Sequence, residues 1–290
     1  MAQNRPQRGA TLNGESSRFN LPEREADGDW LDDRDMLDGT PPRLRTTVTV
    51  ERPRTIISRN SSPDVPFDRS INPYRGCEHG CIYCFARPTH AFHDLSPGLD
   101  FESKLFAKPD APALLRTELS KRGYVAQPIA FGTNTDPYQP IEREWRITRG
   151  CIAVLAETNH PLTITTKSDR VVHDLDLIAP MAAKGLVAVA ISITSLDPKI
   201  AMTVEPRAPT PKRRLAAVRA LVAAGVPTHV SVAPVIPPIT DPENEHLDEQ
   251  AAESGPRSVS FLPVSLPRGG APPFYAVLSN TTTDPALKRC

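Results

Sequence analysis

The sequence predicts an α/β fold, a partial (βα)6 TIM-like barrel with parallel strands flanked by disordered N- and C-terminal tails. From residue 68 onward, short apolar or alternating segments recur, and helical stretches separate them. The segment at 187–194 is almost continuously apolar, which is typical of a strand covered on both faces. Six such segments are too few for the eight strands of a closed barrel. A doubly wound sheet is the alternative, and in either fold the functional site lies beyond the carboxyl ends of the strands.

The predicted elements follow one another along the chain. The six strands are residues 70–72, 129–133, 162–166, 187–194, 228–233 and 258–262. Residues 211–224 form the clearest helix, with Pro211 in its first turn and Gly225 after its end. Residues 174–184 and 241–254 are two further helices, the first with Asp174 as N-cap and with Pro180 as a possible kink. The β-branched segment 46–57 is predicted as an edge strand.

Composition divides the chain into three parts. Proline accounts for 32 of the 290 residues, about 11% and twice its ordinary share, and much of this excess lies at the two ends. Residues 1–45 are polar and aperiodic, which predicts a disordered leader. Residues 46–262 hold the barrel, and residues 263–290 are predicted to form an irregular, aberrant C-terminal tail. We expect damage at that end to leave the barrel mouth open and the protein inactive.

Charge and hydropathy limit the classes of function. Lys plus Arg and Asp plus Glu number 34 each, so no overall charge favours nucleic acid, although a local basic groove stays open. Arg75, Arg87, Lys104 and Lys108 are candidates for a local phosphate-binding face. The chain has neither an 18-residue apolar run nor an apolar N-terminal segment, so we expect no membrane span, no secretory signal and a cytoplasmic location.

Three of the five cysteines lie within eight residues and form a metal-ligand pattern. Cys77, Cys81 and Cys84 are spaced CxxxCxxC directly after the first strand. Thiolates are soft ligands that suit either zinc or iron–sulfur clusters. A zinc site would need His79 or His90 as its fourth ligand, whereas three thiolates can hold three irons of a [4Fe–4S] cubane and leave the fourth iron open.

The remaining cysteine and histidine positions have simpler interpretations. Cys151 begins an apolar helical stretch and is predicted to be a buried core thiol. His90 and His93, which closely follow the cysteines, are predicted to make structural hydrogen bonds or to lie at the surface.

The cysteine spacing, with Tyr83 directly before the third cysteine, resembles the signature of radical S-adenosylmethionine (SAM) enzymes. The wider segment 72–90 is similar to the branch that is related to spore photoproduct lyase, especially its largely uncharacterised bacterial relatives. Segments 132–142, 166–168, 205–207 and 233–237 resemble the same branch, and the resemblance covers roughly residues 50–262.

The resemblance implies a partial barrel in which Cys77, Cys81 and Cys84 hold a [4Fe–4S] cluster. The methionine amine and carboxylate of SAM would chelate the fourth iron. Reductive cleavage of SAM would yield a 5′-deoxyadenosyl radical that abstracts hydrogen from an unknown substrate. The resemblance also implies an external one-electron reductant of the flavodoxin or ferredoxin type.

The same resemblance implies roles for residues around the cluster. The candidate cofactor-binding residues are Tyr83, Asn134, Lys167, Ser192, Arg207 and Val235. Asn134 would contact the methionine amine, and Lys167 and Arg207 its carboxylate, although Arg207 has Glu205 as another possible partner. Ser192 would bind a ribose hydroxyl, and Val235 with Ile236 would flank the adenine. No catalytic residue is marked by any motif.

The sequence also departs from spore photoproduct lyase. That enzyme returns a hydrogen atom to its product from a further cysteine on the barrel interior, near the strand that 129–133 would form, and this chain has no cysteine there. We therefore do not transfer the repair reaction. A DNA-lesion lyase or other nucleic-acid modifier is the alternative enzyme, and a zinc-stabilised binding module without catalysis is the alternative from another class. A remnant that keeps the cluster site without turnover is a third.

Overall fold

The computed structural model describes residues 45–63 and 65–266 together with residues 10 and 274. Its strands are β1 (Thr47–Val50), β2 (Ile57–Arg59), β3 (Arg69–Ile71), β4 (Tyr74–Arg75), β5 (Lys104–Ala107), β6 (Ile129–Phe131), β7 (Leu162–Thr166), β8 (Val187–Ser192), β9 (Thr228–Val235) and β10 (Ser258–Pro263). All six predicted strands are present, with boundaries that differ by one to two residues.

The larger sheet has the order β10-β9-β8-β7-β6-β3-β2 within the described part of the chain. The strands from β3 to β10 in this sheet pair in parallel, and β2 pairs antiparallel with β3. Each successive parallel strand is added on the same side of its predecessor. A doubly wound sheet would reverse direction at a switch point, so that alternative is wrong and the predicted partial-barrel arrangement is confirmed.

Helices and 3₁₀ turns occupy the connections between these strands. The α-helices are α1 (Leu99–Ser103), α2 (Ala111–Leu119), α3 (Glu142–Trp145), α4 (Ile147–Glu157), α5 (Leu175–Ala183), α6 (Pro198–Val204), α7 (Pro211–Ala223) and α8 (Asn244–Glu253). The 3₁₀ helices are Arg87–His93, Asp169–Asp174 and Asp241–Glu243. Among the described residues, no helix has the length and apolar character of a membrane span.

Two predicted helices are each preceded by or begin with a 3₁₀ turn. The helix predicted over 174–184 is α5 preceded by a 3₁₀ turn, and Asp174 makes no side-chain cap. Its carboxylate instead accepts hydrogen bonds from Tyr138 and Arg149, which satisfy it better than backbone amides that already have 3₁₀ partners. The helix predicted over 241–254 likewise begins as a 3₁₀ turn and continues as α8.

A second, three-stranded sheet was not predicted. The segment 46–57, expected as one edge strand, forms β1 and β2 in two different sheets, with Pro53 between them. β1 pairs with β5, and β5 pairs antiparallel with β4. β5 directly follows the five-residue helix α1 without a turn residue, so no sequence signal marks where it begins.

Buried and accessible residues alternate along the central strands. Ile164, Val189 and Ile191 are almost completely buried against the surrounding helices, as is the Cys151 side chain on α4, which confirms its core assignment. Ala188 on β8 is exposed, so the expectation that this strand is covered on both faces is wrong. The open barrel leaves its inner face accessible, and small side chains line it at this point.

The last described residues pack near the cysteine segment. The Val264 amide donates to the Val235 carbonyl (2.9 Å), and Val264, Leu266 and Phe274 contact the apolar group formed by Cys81, Ile82 and Tyr83. Apart from these residues and residues 10 and 45, the predicted leader (1–45) and tail (263–290) lie outside the described residues.

Gly132 ends β6 at a position that admits no side chain. Its φ is +85°, and a Cβ atom there would lie 1.9 Å from the Thr165 carbonyl oxygen on β7. The close approach lets two neighbouring strand ends meet, which only glycine permits.

We expect Gly132→Ala to destabilise the protein much more than Gly185→Ala. Both glycines have positive φ, which costs a non-glycine residue roughly 1–2 kcal/mol, but a Cβ at Gly185 would meet nothing within 4 Å. The overlap at Gly132 adds a further cost of roughly 1–3 kcal/mol or more. Urea unfolding of both variants measures the difference, and equal losses would contradict the close-approach argument.

Candidate active site

The three cysteines lie on a loop that two tight backbone contacts hold in place. Gly76 has φ +71°, and a Cβ there would lie 2.7 Å from the Phe101 carbonyl oxygen. The Cys77 amide donates to that same carbonyl (2.9 Å). Cys77 and Cys81 are buried, Cys84 is half-buried, and all three are free thiols.

The buried side chain of Arg87 holds the same loop in place through hydrogen bonds. Its guanidinium is fully buried and donates to the carbonyl of Cys81 (2.9 and 3.0 Å) and to the carboxylate of Glu102 (2.5 Å). Further bonds reach the carbonyls of Pro97 and Gly98 (3.1 Å each). All of its donors are directed inward, so it is unavailable to a phosphate.

The four basic residues that the sequence offered for a phosphate-binding face each already have a partner within the chain. Besides Arg87, Arg75 pairs with Glu51 (2.7 Å) and Lys104 pairs with Asp100 (3.0 Å). The Lys108 ammonium donates to the Asn72 carbonyl (2.9 Å), and burial lowers its pKa to about 8. Lys and Arg spacing alone does not reveal that each cation is already engaged by a neighbour from another element.

One cavity joins the cysteines to the carboxyl ends of β6, β7 and β8, as the fold class predicts. Its lining includes the three cysteines, His79, Phe85, Gly132, Asn134, Thr135, Asp136, Thr165, Thr166, Lys167 and Ser192. Three predicted cofactor-binding residues, Asn134, Lys167 and Ser192, thus lie with the cysteines. The cavity measures about 80 Å³, so a ligand of nucleoside size would extend beyond it across the open strand ends.

Asp136, which was not among the predicted site residues, organises one side of this cavity. Its carboxylate accepts hydrogen bonds from the Thr166 hydroxyl (2.6 Å), the Lys167 amide (2.8 Å) and the Tyr138 amide (2.9 Å). His79 Nδ1 lies 3.4 Å away. Burial opposes ionisation of Asp136, but His79 and these donors outweigh it and lower its pKa to about 2.

A buried ionic network supports the other side. The Glu205 carboxylate accepts hydrogen bonds from Arg214, from the Tyr83 hydroxyl and from the Thr194 hydroxyl (2.6 Å). Glu205 and Arg214 are both almost completely buried. Burial raises the pKa of Glu205, yet the guanidinium and Lys167 reverse this and leave it lowered, so the carboxylate is ionised.

This network extends to Lys167. Its Nζ lies 5.7 Å from the centre of the Tyr83 ring. Burial disfavours the charged ammonium, but Cys81 and Glu205 outweigh burial and raise the pKa of Lys167. Lys167 therefore presents a positive charge to the cavity. The Tyr83 ring packs against the Lys167 ammonium but is not part of the cavity lining.

Arg207 and Val235 lie elsewhere. The Arg207 guanidinium pairs with Glu78 (3.0 Å) and not with Glu205, because Arg214 already occupies that carboxylate. Val235 packs against the main core and is absent from the cavity lining. Ile236 is buried next to Cys81 and Tyr83, closer to the site than Val235.

Of the two histidines considered as zinc ligands, His90 is engaged elsewhere, whereas His79 lines the cysteine cavity. His90 Nε2 lies 2.8 Å from the Lys104 carbonyl oxygen, and burial lowers the pKa of His90 to about 4. His93 stacks on Phe106 with ring centres 4.4 Å apart, in accordance with a structural role. His79 faces Asp136.

The donor set fits a [4Fe–4S] cluster with one open iron. Burial raises the pKa of Cys81 to about 12 and that of Cys77 well above its usual value, so thiolates at these positions need a metal to stabilise them. Three soft thiols line the described cavity. Asn134, Lys167 and Ser192 add the polar donors that an amino-acid and ribose ligand would use.

Asp136, Glu205 and Arg214 are the residues that sequence reasoning missed. Charged side chains are seldom fully buried unless they are paired, and the pairing partners here come from distant segments of the chain. Asp136 and Glu205 lie in segments that resemble the related branch, which was their available signal, whereas Arg214 lies within the predicted helix 211–224 and had none.

Comparison with known proteins agrees with this arrangement. The Radical SAM superfamily model matches residues 71–251. An uncharacterised protein of Mycobacterium bovis is 43% identical over 205 residues, which cover 70% of this chain and 60% of the relative. An uncharacterised protein of Methanocaldococcus jannaschii is 27% identical over 173 residues, covering 60% of this chain and 62% of the relative. The chain thus spans about 60% of the length of these relatives.

Solved structures show the same fold. Spore photoproduct lyase complexed with dinucleoside spore photoproduct is 20% identical, with a TM-score of 0.59 over 82% of this chain and 68% of that one. A variant of the lyase with the same dinucleoside is 18% identical, with a TM-score of 0.60 over 93% and 75%. Radical SAM enzymes use a [4Fe–4S] cluster and SAM and generally need an external reductant. By the family match and by the cysteine loop at the mouth of a partial barrel, this chain belongs to the Radical SAM superfamily.

Proposed function

We propose that this protein binds a [4Fe–4S] cluster through Cys77, Cys81 and Cys84 and cleaves SAM reductively for hydrogen abstraction from a substrate. The observation that carries the proposal is the single cavity that brings these thiols together with Asn134 and Lys167. When bound, the cluster and SAM together supply a 5′-deoxyadenosyl radical. The protein contributes binding, orientation and exclusion of water.

Lys167 is the residue best suited to the methionine carboxylate. Lys167 lines the cavity, and Cys81 and the buried Glu205 carboxylate raise its pKa, so that its ammonium is charged. Its backbone amide is tied to Asp136 (2.8 Å), so both ends of the residue are positioned. Asn134 would donate or accept at the methionine amine, and Ser192 would bind a ribose hydroxyl.

Asn134 is positioned by its own backbone. Its amide donates to the Asn72 side-chain oxygen (3.1 Å), and the Thr135 hydroxyl next to it donates to the Tyr74 carbonyl (3.0 Å). These bonds connect the loop after β6 to the segment that precedes the cysteines. Positioning of this kind reduces the conformational freedom that a ligand must remove on binding.

An external one-electron reductant of the flavodoxin or ferredoxin type completes the proposed reaction. Radical SAM enzymes generally need such a donor. Phe85 follows Cys84 directly and is 61% exposed, so the proposed cluster lies close to the surface that a donor would approach.

The alternative functions have less support. A DNA-lesion lyase is favoured by the fold of spore photoproduct lyase, but the described cavity lining contains no thiol besides the three cysteines, and Cys151 is buried in the core. The zinc-stabilised module keeps only His79 as a candidate fourth ligand, because His90 Nε2 lies against the Lys104 carbonyl oxygen.

We expect Cys81→Ala to abolish assembly of the iron–sulfur cluster. Anaerobic reconstitution of the unaltered protein should give about four irons per chain and an EPR signal that changes on addition of SAM. The variant should lose both, since two thiolates hold a cubane poorly. Cys151→Ala is the matched control, as its thiol is buried outside the site and should leave iron binding intact. One bound zinc and no iron would contradict the proposal.

We expect Lys167→Met to weaken SAM binding by roughly 10- to 100-fold while iron loading is retained. A hydrogen bond to a charged group contributes roughly 1.5–3 kcal/mol, which corresponds to that change in affinity. Equilibrium dialysis of SAM with the reconstituted protein measures the effect. Lys184→Met removes an exposed ammonium bound to Asn159 and serves as the control. Equal SAM affinity in the Lys167 and Lys184 variants would contradict the assigned role.

A further inference from the structure

A second cavity, rich in arginine, opens beside the cysteine site. It measures about 290 Å³ and is lined by Tyr138, Glu142, Arg143, Arg146, Arg149, Arg170, His173 and Asp174. We call it the arginine groove. Its residues come from the segments that follow β6 and β7, so it lies at the same end of the barrel as the cysteines.

A single turn separates the two cavities. Asp136 lines the cysteine cavity and Tyr138 lines the arginine groove. The Tyr138 amide donates to the Asp136 carboxylate (2.9 Å), which holds the turn together. A ligand in the groove would therefore lie next to the site where the radical is proposed to form.

The carboxylates of the groove are already engaged. Glu142 accepts hydrogen bonds from the amides of Thr148 and Arg149 at the start of α4 (3.1 Å each) and from the Tyr74 hydroxyl. Asp174 accepts from Tyr138 (2.9 Å) and Arg149 (2.8 Å). Both acids reduce the positive charge of the groove, but among the described residues neither forms an ion pair with Arg143, Arg146 or Arg170.

Of the four arginines that line the groove, Arg149 forms ion pairs with neighbouring carboxylates and the other three do not. Arg149 is paired with both Asp174 (2.8 Å) and Asp176 (2.5 Å). Arg143, Arg146 and Arg170 make no ion pair with any residue in the described stretches. With four arginines against Glu142 and Asp174, the lining of the groove carries a net positive charge in a chain whose total charge is zero.

One of these arginines, Arg146, lies at the junction between two helices. Arg146 joins α3 to α4 with φ +50° and ψ +31°, a left-handed conformation that is uncommon for a residue with a side chain. Glycine would be the ordinary residue at such a junction. Residues in this conformation cost free energy, are held in place by the surrounding structure and cluster at functional sites.

We propose that the arginine groove binds a phosphate group of the substrate on which the neighbouring radical site acts. Guanidinium groups bind phosphate through paired, charge-assisted hydrogen bonds, and three of them exceed what a carboxylate alone would require. The inference rests on the proposed function for the radical site, but binding of phosphate to the groove does not require the cluster. The phosphate can belong to a small phosphate ester or to a nucleic-acid backbone.

Probe binding to the reconstituted full chain tests the proposal. Inorganic pyrophosphate is titrated by calorimetry, and a fluorescein-labelled single-stranded decanucleotide by anisotropy, both at low salt. We expect at least one probe to bind, with affinity lowered at least tenfold in the double variant Arg146→Gln/Arg170→Gln. Binding should also weaken with added salt, and less steeply in the variant.

Arg122→Gln is the matched control. Arg122 is exposed and lies in the connection that enters β6, at the opposite end of the strands from the groove. The substitution removes one positive charge, as each of the two substitutions in the double variant does, and we expect its probe affinity to stay within twofold of the unaltered protein. Higher affinity for the oligonucleotide than for pyrophosphate would identify a nucleic-acid backbone as the source of the phosphate. Higher affinity for pyrophosphate would identify a small phosphate ester.

Three results would overturn the proposal: no binding of either probe, binding that survives the double variant, or equal loss in the Arg122 variant. Failure of the radical assignment is separately visible. Iron content and the SAM-dependent EPR change report on the cysteine site, and both should be retained in the double variant. A protein without iron that still binds phosphate through the groove would refute only the radical assignment.

Discussion

The buried Glu205 carboxylate is the interaction on which the site depends most. It joins the cysteine loop through Tyr83, the end of β8 through Thr194, and α7 through Arg214. A charge removed from water is costly unless donors surround it, and losing one partner of a buried pair costs roughly 3–5 kcal/mol. Three separate segments of the chain are thus held in one arrangement by a single carboxylate.

Arg214 extends this constraint to the backbone. Besides Glu205, it donates to the carbonyls of Ser192 (3.0 Å) and Pro209 (2.8 Å). Ser192 therefore reaches the cavity from a strand end that the network itself fixes. Asp136 has the corresponding role on the other side, where it joins the loop after β6 to the end of β7. The cavity lies between two fully hydrogen-bonded acids, which leaves its own polar groups positioned for a ligand.

The distribution of arginine separates structural from binding roles. Arg87 and Arg214 are buried and donate to backbone carbonyls and to one carboxylate each. Arg143, Arg146 and Arg170 lie around an open groove and have no carboxylate partner among the described residues. The same residue type thus stabilises the cysteine loop from within and gives the barrel mouth a positive surface, although the chain as a whole is neutral.

The sequence by itself determined the local and periodic features of this protein. Alternating strands and helices predicted the parallel sheet, and the CxxxCxxC spacing identified Cys77, Cys81 and Cys84, because both signals depend on neighbouring residues. Asn134, Lys167 and Ser192 line the cavity together with the cysteines because each one lies at or just beyond a strand end, while their cofactor-binding roles stay predictions. Only the tertiary structure decided which charges meet. Arg87 became a buried anchor, Arg207 paired with Glu78, and Glu205 was taken by Arg214. Such pairings join segments far apart in the chain, and the free energy of each ion depends on burial that no local pattern encodes.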